Sequence, residues 1–263
     1  VLHAWLRAGN TSASRGVSHF LREALALLPA GWKLRTVRAD SGFFSEELLE
    51  FLEEHSLTYI VVARLTRNII HKAAALREWI QIDENYAVSE FEAQLFGWNK
   101  PRRFVVVREL VRDTKQALGR KLLDVPGYTF RIFATNRSED ALVLWRDYNQ
   151  RAIIEQRIEE LKAELNADGF CMKQFFATEA AFLSVLFVFN LLSLYQKALN
   201  PAARYRQPAT LRSAVFLGGA ALGRVGRKAV LHISSAWGGF EKHYPLVEAI
   251  LKWVLPTSPK LPT

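Results

Sequence analysis

Over its first 65 residues the chain switches between strand-like and helix-like spacing four times, and this alternation decides its fold class. Residues 1–7 (VLHAWLR) read as a strand, stopped by Gly9 and Asn10. Apolar residues then recur at Val17, Phe20, Leu21, Ala24, Leu25 and Leu28, the spacing of one helix face, and Pro29 and Gly31 end the run. Lys33 to Ala39 returns to strand character and runs into Asp40, Ser41 and Gly42. A second helix follows from Ser45, a capping residue, to about Glu54. Thr58 to Leu65 (TYIVVARL) is apolar and β-branched, the pattern of a buried strand. Strand, helix, strand, helix, strand is an α/β layout.

The alternation breaks after residue 66. Strand-like runs at Tyr86–Leu95, Arg103–Leu110 and Tyr128–Ala134, separated by turn signals such as GWNKP at 97–101, predict an antiparallel β region. Ser138 is placed to cap a long helix reaching Asn166, ended by Asp168 and Gly169. An apolar helix over 176–199 comes next. Its core, Ala180 to Tyr195, is interrupted by Ser184, Asn190 and Ser193. That run is short of the roughly 20 apolar residues of a membrane span and predicts a buried helix of a soluble protein.

Half of the 263 residues are hydrophobic and 23% are charged, which excludes a disordered chain. A formal charge of +9 favours a polyanionic partner, nucleic acid before anionic membrane. Most of that charge lies in the tail, where residues 198–263 hold nine Lys/Arg against two acids. Arg204, Arg206, Arg212, Arg224, Arg227 and Lys228 read there either as a DNA-contacting patch or as solvated surface. One cysteine, Cys171, excludes an internal disulfide framework, and the six histidines are too scattered for zinc-ligand spacing.

Tyr148, Arg151, Glu155 and Lys162 follow one another at steps of three, four and seven residues, which on a continuous helix return to one stripe. Ile154, Ile158, Leu161 and Leu165 fall on a neighbouring stripe able to pack on a sheet. Ion pairs on a solvated face explain the first stripe without any function. A carboxylate among Arg, Lys and Tyr also suits a hard divalent cation facing phosphate, with the bases and phenol gripping a DNA backbone.

Those four residues carry a resemblance. Tyr148-x2-Arg151-x3-Glu155-x6-Lys162 resembles the Y-x2-R-x3-E-x6-K signature of bacterial insertion-sequence transposases of the DDE class, with each spacing intact. Asp40-Ser41-Gly42-Phe43, at the end of the 33–39 strand, looks like the segment holding that group's second acid. LRAGNTSASRG resembles the stretch before it, and the likeness covers roughly residues 1–200. The resemblance implies an α/β fold: an RNase-H-like core interrupted by a β-rich insertion, with a helical C-terminal region. Residues 1–66 would open the core, 67–134 form the insertion and its returning strand, 135–199 complete the core, and 200–263 make a basic C-terminal region. The 115 residues between Asp40 and Glu155 fit such an insertion.

By matching position, Asp40 and Glu155 would be catalytic acids and metal ligands, while Tyr148, Arg151 and Lys162 would contact DNA phosphates. Two Mg²⁺ (or Mn²⁺) ions would drive DNA cleavage and strand transfer. The implied substrates are the element's terminal inverted repeats and target DNA, bound by a homodimer in the nucleoid-associated cytoplasm, with no membrane partner. The family's first Asp has no counterpart, because residues 1–39 contain no Asp and a single acid, Glu23. The chain is therefore expected to be N-terminally incomplete. A catalytically inactive DNA-binding remnant and an RNase-H-like nuclease stand as the alternative readings. Relatives that resolve a hairpin can carry an aromatic after the signature Arg. Here that position is Ala152, and Trp98 is either a substitute or a packing residue.

Overall fold

The computed structural model describes residues 1–12, 14–111, 127–150, 152–170, 172–199, 205–213, 217, 219–234, 241, 244–245 and 248. Two compact units divide the chain, one spanning Leu2–Glu155 and the other Gln156–Thr263 with Val1.

The first unit is built on a six-stranded sheet. Its elements in chain order are α1 (Val17–Ala26), β1 (Thr36–Ala39), α2 (Glu46–Glu54), β2 (Thr58–Val62), α3 (Arg67–Ala74), β3 (Ile80–Gln81), β4 (Tyr86–Ala93), β5 (Arg102–Leu110), β6 (Tyr128–Thr135) and α4 (Ala141–Asn149). The strand order is β1-β2-β6-β5-β4-β3. Only β1 and β2 run parallel, joined through α2, and every other pair is antiparallel. The strands of the 67–134 stretch thus continue the sheet that β1 and β2 begin.

Alternation along the strands sorts the core into two layers, as period-2 spacing requires. Tyr59, Val61, Phe104, Val106, Ile132 and Ala134 face Leu48, Leu49 and Leu52 of α2, with Ile69 of α3 and Val17 of α1 on the same side. Ile60, Val105, Val107 and Phe133 point the other way, onto Ala141, Leu144 and Tyr148 of α4. Both faces are covered by helix, which is why β2 is apolar throughout rather than half polar.

Several expectations change. Residues 1–7 form no strand. Their alternating side chains pack on α1 instead: the His3 ring stacks on Phe20 at 4.7 Å, and Trp5 Nε1 donates to Glu23 Oε2 at 2.7 Å. Glu23 therefore anchors the N-terminal segment. Residues 67–74, expected within a β region, form α3, capped by Thr66, whose hydroxyl accepts from the Ile69 amide. Ser45 caps α2 in the same way, accepting from the Leu48 amide.

The helix expected from Ser138 begins at Ala141, with Asp140 at its N-cap position. Asn136 Nδ2 donates to the Leu57 carbonyl at 3.0 Å, and its Oδ1 accepts from the Tyr59 amide at 2.9 Å. The helix is also interrupted. α4 stops at Asn149, α5 covers Ala152–Glu159, and a π-helical turn occupies Glu160–Glu164. A π turn closes i→i+5 bonds and rotates the residues beyond it relative to an ideal helix.

In the second unit α6 (Phe175–Leu199) is a continuous helix of 25 residues. The polar interruptions do not shorten it, because Ser184 and Ser193 donate back to the Ala180 and Phe189 carbonyls at 2.8 and 2.9 Å. The stretch Phe175–Ala198, of mean hydropathy 1.9, is long and apolar enough to cross a membrane by length and composition. Only 11% of it is buried, so the expectation of a short, buried helix does not hold. A short helix α7 (Pro208–Leu211) and a hairpin of β7 (Ala220–Val225) and β8 (Lys228–Ile233) follow, with Arg224, Arg227 and Lys228 exposed on the hairpin. Arg204 lies outside the described residues.

One ion cluster fixes α2 to the sheet. The Arg102 side chain, 2% exposed, lies between Glu53 and Glu46 at 3.0 and 3.2 Å. Lys100 and the Tyr59 hydroxyl each reach Glu53 at 2.8 Å. Burial alone would raise the Glu53 pKa, but hydrogen bonds from Arg102, Lys100 and Tyr59 outweigh it and hold the carboxyl below its usual 4.5. A depressed folded value stabilises the fold above pH 4.5 and stops doing so as pH falls through that folded value. Glu53→Gln should cost on the order of 2 kcal/mol at neutral pH. It should also flatten the loss of stability below pH 4.5. Urea unfolding followed by tryptophan fluorescence at several pH values checks both, and acid limbs parallel to the parent's would refute the assignment.

Candidate active site

Parallel strands in register present neighbouring residues on the same face. Ala39 pairs with Val61, so Asp40 stands level with Val62, on the side of the sheet that α4 covers. Asp40 follows the C-terminal end of β1 and caps the 3₁₀ turn Ser41–Phe43, its Oδ1 accepting from the Gly42 amide at 2.9 Å. That turn aims the chain away from the sheet and leaves the carboxyl at the strand's carboxyl end, where open α/β sheets gather their sites.

A cleft of about 290 Å³ opens there. Asp40, Ser41, Val62, Arg131, Tyr148, Asn149 and Glu155 line it. Asp40 and Glu155, distant in sequence, therefore share one cavity with Tyr148. The Tyr148 ring is 4% exposed and lies 4.5 Å from the Phe133 ring, so the phenol is built into the α4 layer rather than standing in solvent. Glu155 is exposed on α5. Arg151 lies outside the described residues. Lys162 sits on the π-helical turn of the second unit and is exposed.

The expected single stripe is thus not a continuous helical face. Ile154 and Ile158, expected to pack on a sheet, are 49% and 45% exposed, while Leu161 is buried. The break after Asn149 and the π turn change the phase that the spacing argument assumed. Trp98 is a packing residue: its ring lies 5.3 Å from Phe44, and the Arg102 guanidinium covers it at 4.9 Å.

Two features escaped the sequence reading. Arg131 is a lone cation in an apolar strand on the α4 side of the sheet, and that break in alternation was its only signal. Asp147, one residue before Tyr148, accepts from Arg38 of β1 and from Arg137. Arg38 precedes Asp40 by two residues and so projects to the same face. The Asp147 carboxylate therefore ties the strand that carries one acid to the helix that leads to the other. Glu139 also pairs with Arg137 at 2.6 Å. That bond, ahead of the contribution from Asp147, keeps the Arg137 guanidinium firmly protonated.

For a metal, the donor set is two carboxylates. Among the described residues no cluster of three or more His, Cys, Asp or Glu side chains could hold an ion. Two carboxylate oxygens with water and phosphate completing the shell suit Mg²⁺, which commonly takes one or two carboxylates beside substrate phosphates. Among the described residues, the pair fits one such ion, and a three-acid, two-ion site would need one acid more.

A parallel β1/β2 pair linked by a helix, with carboxylates from a strand end and a later helix lining one cleft, makes this a mixed α/β domain with a candidate site at its strand end. The sequence profile of the transposase DDE domain group 1 family matches residues 1–252, and the chain belongs to that family. It is the catalytic region of a DDE transposase, a class that acts on DNA by phosphoryl transfer. No curated protein matches the chain.

Asp147→Ala should destabilise the first unit by about 2 kcal/mol, because Arg38 loses its charged acceptor. It should also speed amide exchange in α4 more than in α2. Urea unfolding with hydrogen exchange tests this, and uniform exchange across both helices would contradict the tie.

Proposed function

We propose that the Asp40–Glu155 cleft performs metal-dependent DNA cleavage and strand transfer at the ends of an insertion sequence. The observation that carries this is the meeting of Asp40, Tyr148 and Glu155 in one cavity at the end of the β1/β2 pair. Asp40 and Glu155 would hold Mg²⁺ or Mn²⁺. Bound there, the ion supplies a Lewis acid for the scissile phosphate and a nucleophile at neutral pH. The chain's own residues do the positioning. Arg131 brings a cation to the cleft, and Tyr148 sets its apolar wall against Phe133. Arg151 and Lys162, by their place in the signature, contact DNA phosphates. The substrates are terminal inverted repeats and target DNA, bound by a homodimer in the cytoplasm with the nucleoid. A two-ion site requires a third acid beyond the two lining this cleft.

A second reading, a DNA-binding remnant without catalysis, is favoured by one observation: among the described residues, two acids line the cleft. Incubation of the protein with labelled DNA carrying the element's ends and Mg²⁺ or Mn²⁺ separates the two. Cleavage with joining supports the transposase, and binding without cleavage supports the remnant. Asp40→Asn and Glu155→Gln should each lower cleavage about 10²–10⁴-fold, equivalent to several kcal/mol of lost transition-state stabilisation. Each should also abolish Mn²⁺ binding read by electron paramagnetic resonance. Unchanged Mn²⁺ binding in both variants would remove the metal assignment.

A further inference from the structure

A larger cleft, of about 520 Å³, opens on the other face of the sheet, lined by the segments that follow β1, β2 and β4. Its floor is apolar: Phe44 and Trp98 lie 5.3 Å apart and belong to the layer beneath α2 and α3. Its rim is basic. Arg64, Arg67 and His71 are exposed, none of the lining residues is acidic, and no side-chain ion pair or hydrogen bond engages these three among the described residues. Phe96 completes the rim and is fully exposed.

The exposure of Phe96 is built in. The Trp98 amide donates to the Leu95 carbonyl at 3.0 Å, and Gly97 has φ +82°, so Phe96 and Gly97 occupy the corners of a tight turn. Positive φ at the second corner is the type II geometry that glycine serves. Trp98 turns inward to the core and Phe96 turns out. A bare phenyl ring held over a cationic, acid-free cleft combines the two elements of single-strand recognition, an aromatic platform for a base and cations along the backbone.

We infer that this cleft binds an unpaired DNA strand, with a base stacked on Phe96 and phosphates against Arg64 and Arg67. The assignment rests on the DNA-processing reading of the Asp40–Glu155 cleft. One short loop serves both: Asp40 and Ser41 line the first cavity, and Phe44 and Ser45 line the second. A strand leaving the acids can therefore pass over this loop into the basic cleft. The second cleft adds to the reaction a hold on single-stranded DNA that needs no metal.

Fluorescence anisotropy with a labelled oligonucleotide of about 12 nucleotides, in EDTA, tests this. Phe96→Ala should weaken single-strand binding about tenfold while leaving the matching duplex unaffected, and Phe96→Trp should retain it. Arg64→Ala with Arg67→Ala should lower the salt slope by about 1.4. Since Phe96 is wholly exposed, its removal leaves the core untouched. Single-strand affinity equal to the parent's in Phe96→Ala overturns the proposal. So does an equal loss on duplex, or displacement of the strand by polyglutamate at matched charge. If cleavage fails in every metal while the Phe96→Ala loss persists, the catalytic reading falls and this site stands.

Discussion

The Asp147 carboxylate, shared by Arg38 and Arg137, is the interaction on which the site's geometry depends. Each guanidinium gives Asp147 a charge-assisted bond, the stronger class of hydrogen bond. All three side chains are less than a third exposed, so the charges are incompletely hydrated and their matching matters. Arg38 reports the position of β1, Arg137 the segment leaving β6, and Asp147 the last turn of α4. One anion thus fixes three pieces of chain, β1 and two segments far from it in sequence. On the opposite face the Arg102–Glu53 cluster does the same for α2 and β5. The sheet is pinned from both sides by mixed-charge groups, while its interior is left to apolar packing.

Much of the architecture was legible from side-chain period. β2, β5 and β6 show residues that alternate between two apolar layers, and α1 and α2 carry clean helical faces. The residues that misled did so for physical reasons. VLHAWLR alternates as a strand does, but Trp5 and His3 found a carboxylate in Glu23 and a ring in Phe20, and no neighbouring strand. Thr66 is a cap that a β reading overlooks, and it starts α3 where the pattern suggested sheet. Ser138 is no cap: Asn136 beside it bonds the Tyr59 N–H and the Leu57 carbonyl, and α4 starts only at Ala141.

The candidate site was legible in part. Asp40 and Glu155 were found by motif, and the structure brings both to one cleft with Tyr148. The stripe itself was not legible, because a stripe assumes an unbroken helix. With α4 ending at Asn149 and a π turn at Glu160, Tyr148 is buried and Ile154 is exposed, opposite to the simple wheel. Asp147 was invisible for a different reason. Nothing in its own sequence neighbourhood marks it, since both its partners lie on other elements. The apolar character of α6 was plain, yet composition records that a helix is apolar and not what covers it.

The two clefts differ in charge, and their chemistry accounts for the difference. Among the described residues, Asp40 and Glu155 bring two carboxylates and Arg131 a cation to the lining of the first cavity. The second cavity has cations and no acids, and its attraction for phosphate needs no metal. The Asp40–Ser45 segment borders both, held by a 3₁₀ turn and by the cap that Ser45 provides to α2. A DNA strand spanning both would be gripped first by the basic cleft and committed at the acidic one when metal arrives. Binding and chemistry would then fall on opposite faces of one sheet, with the fold's parallel β1/β2 pair as their common support.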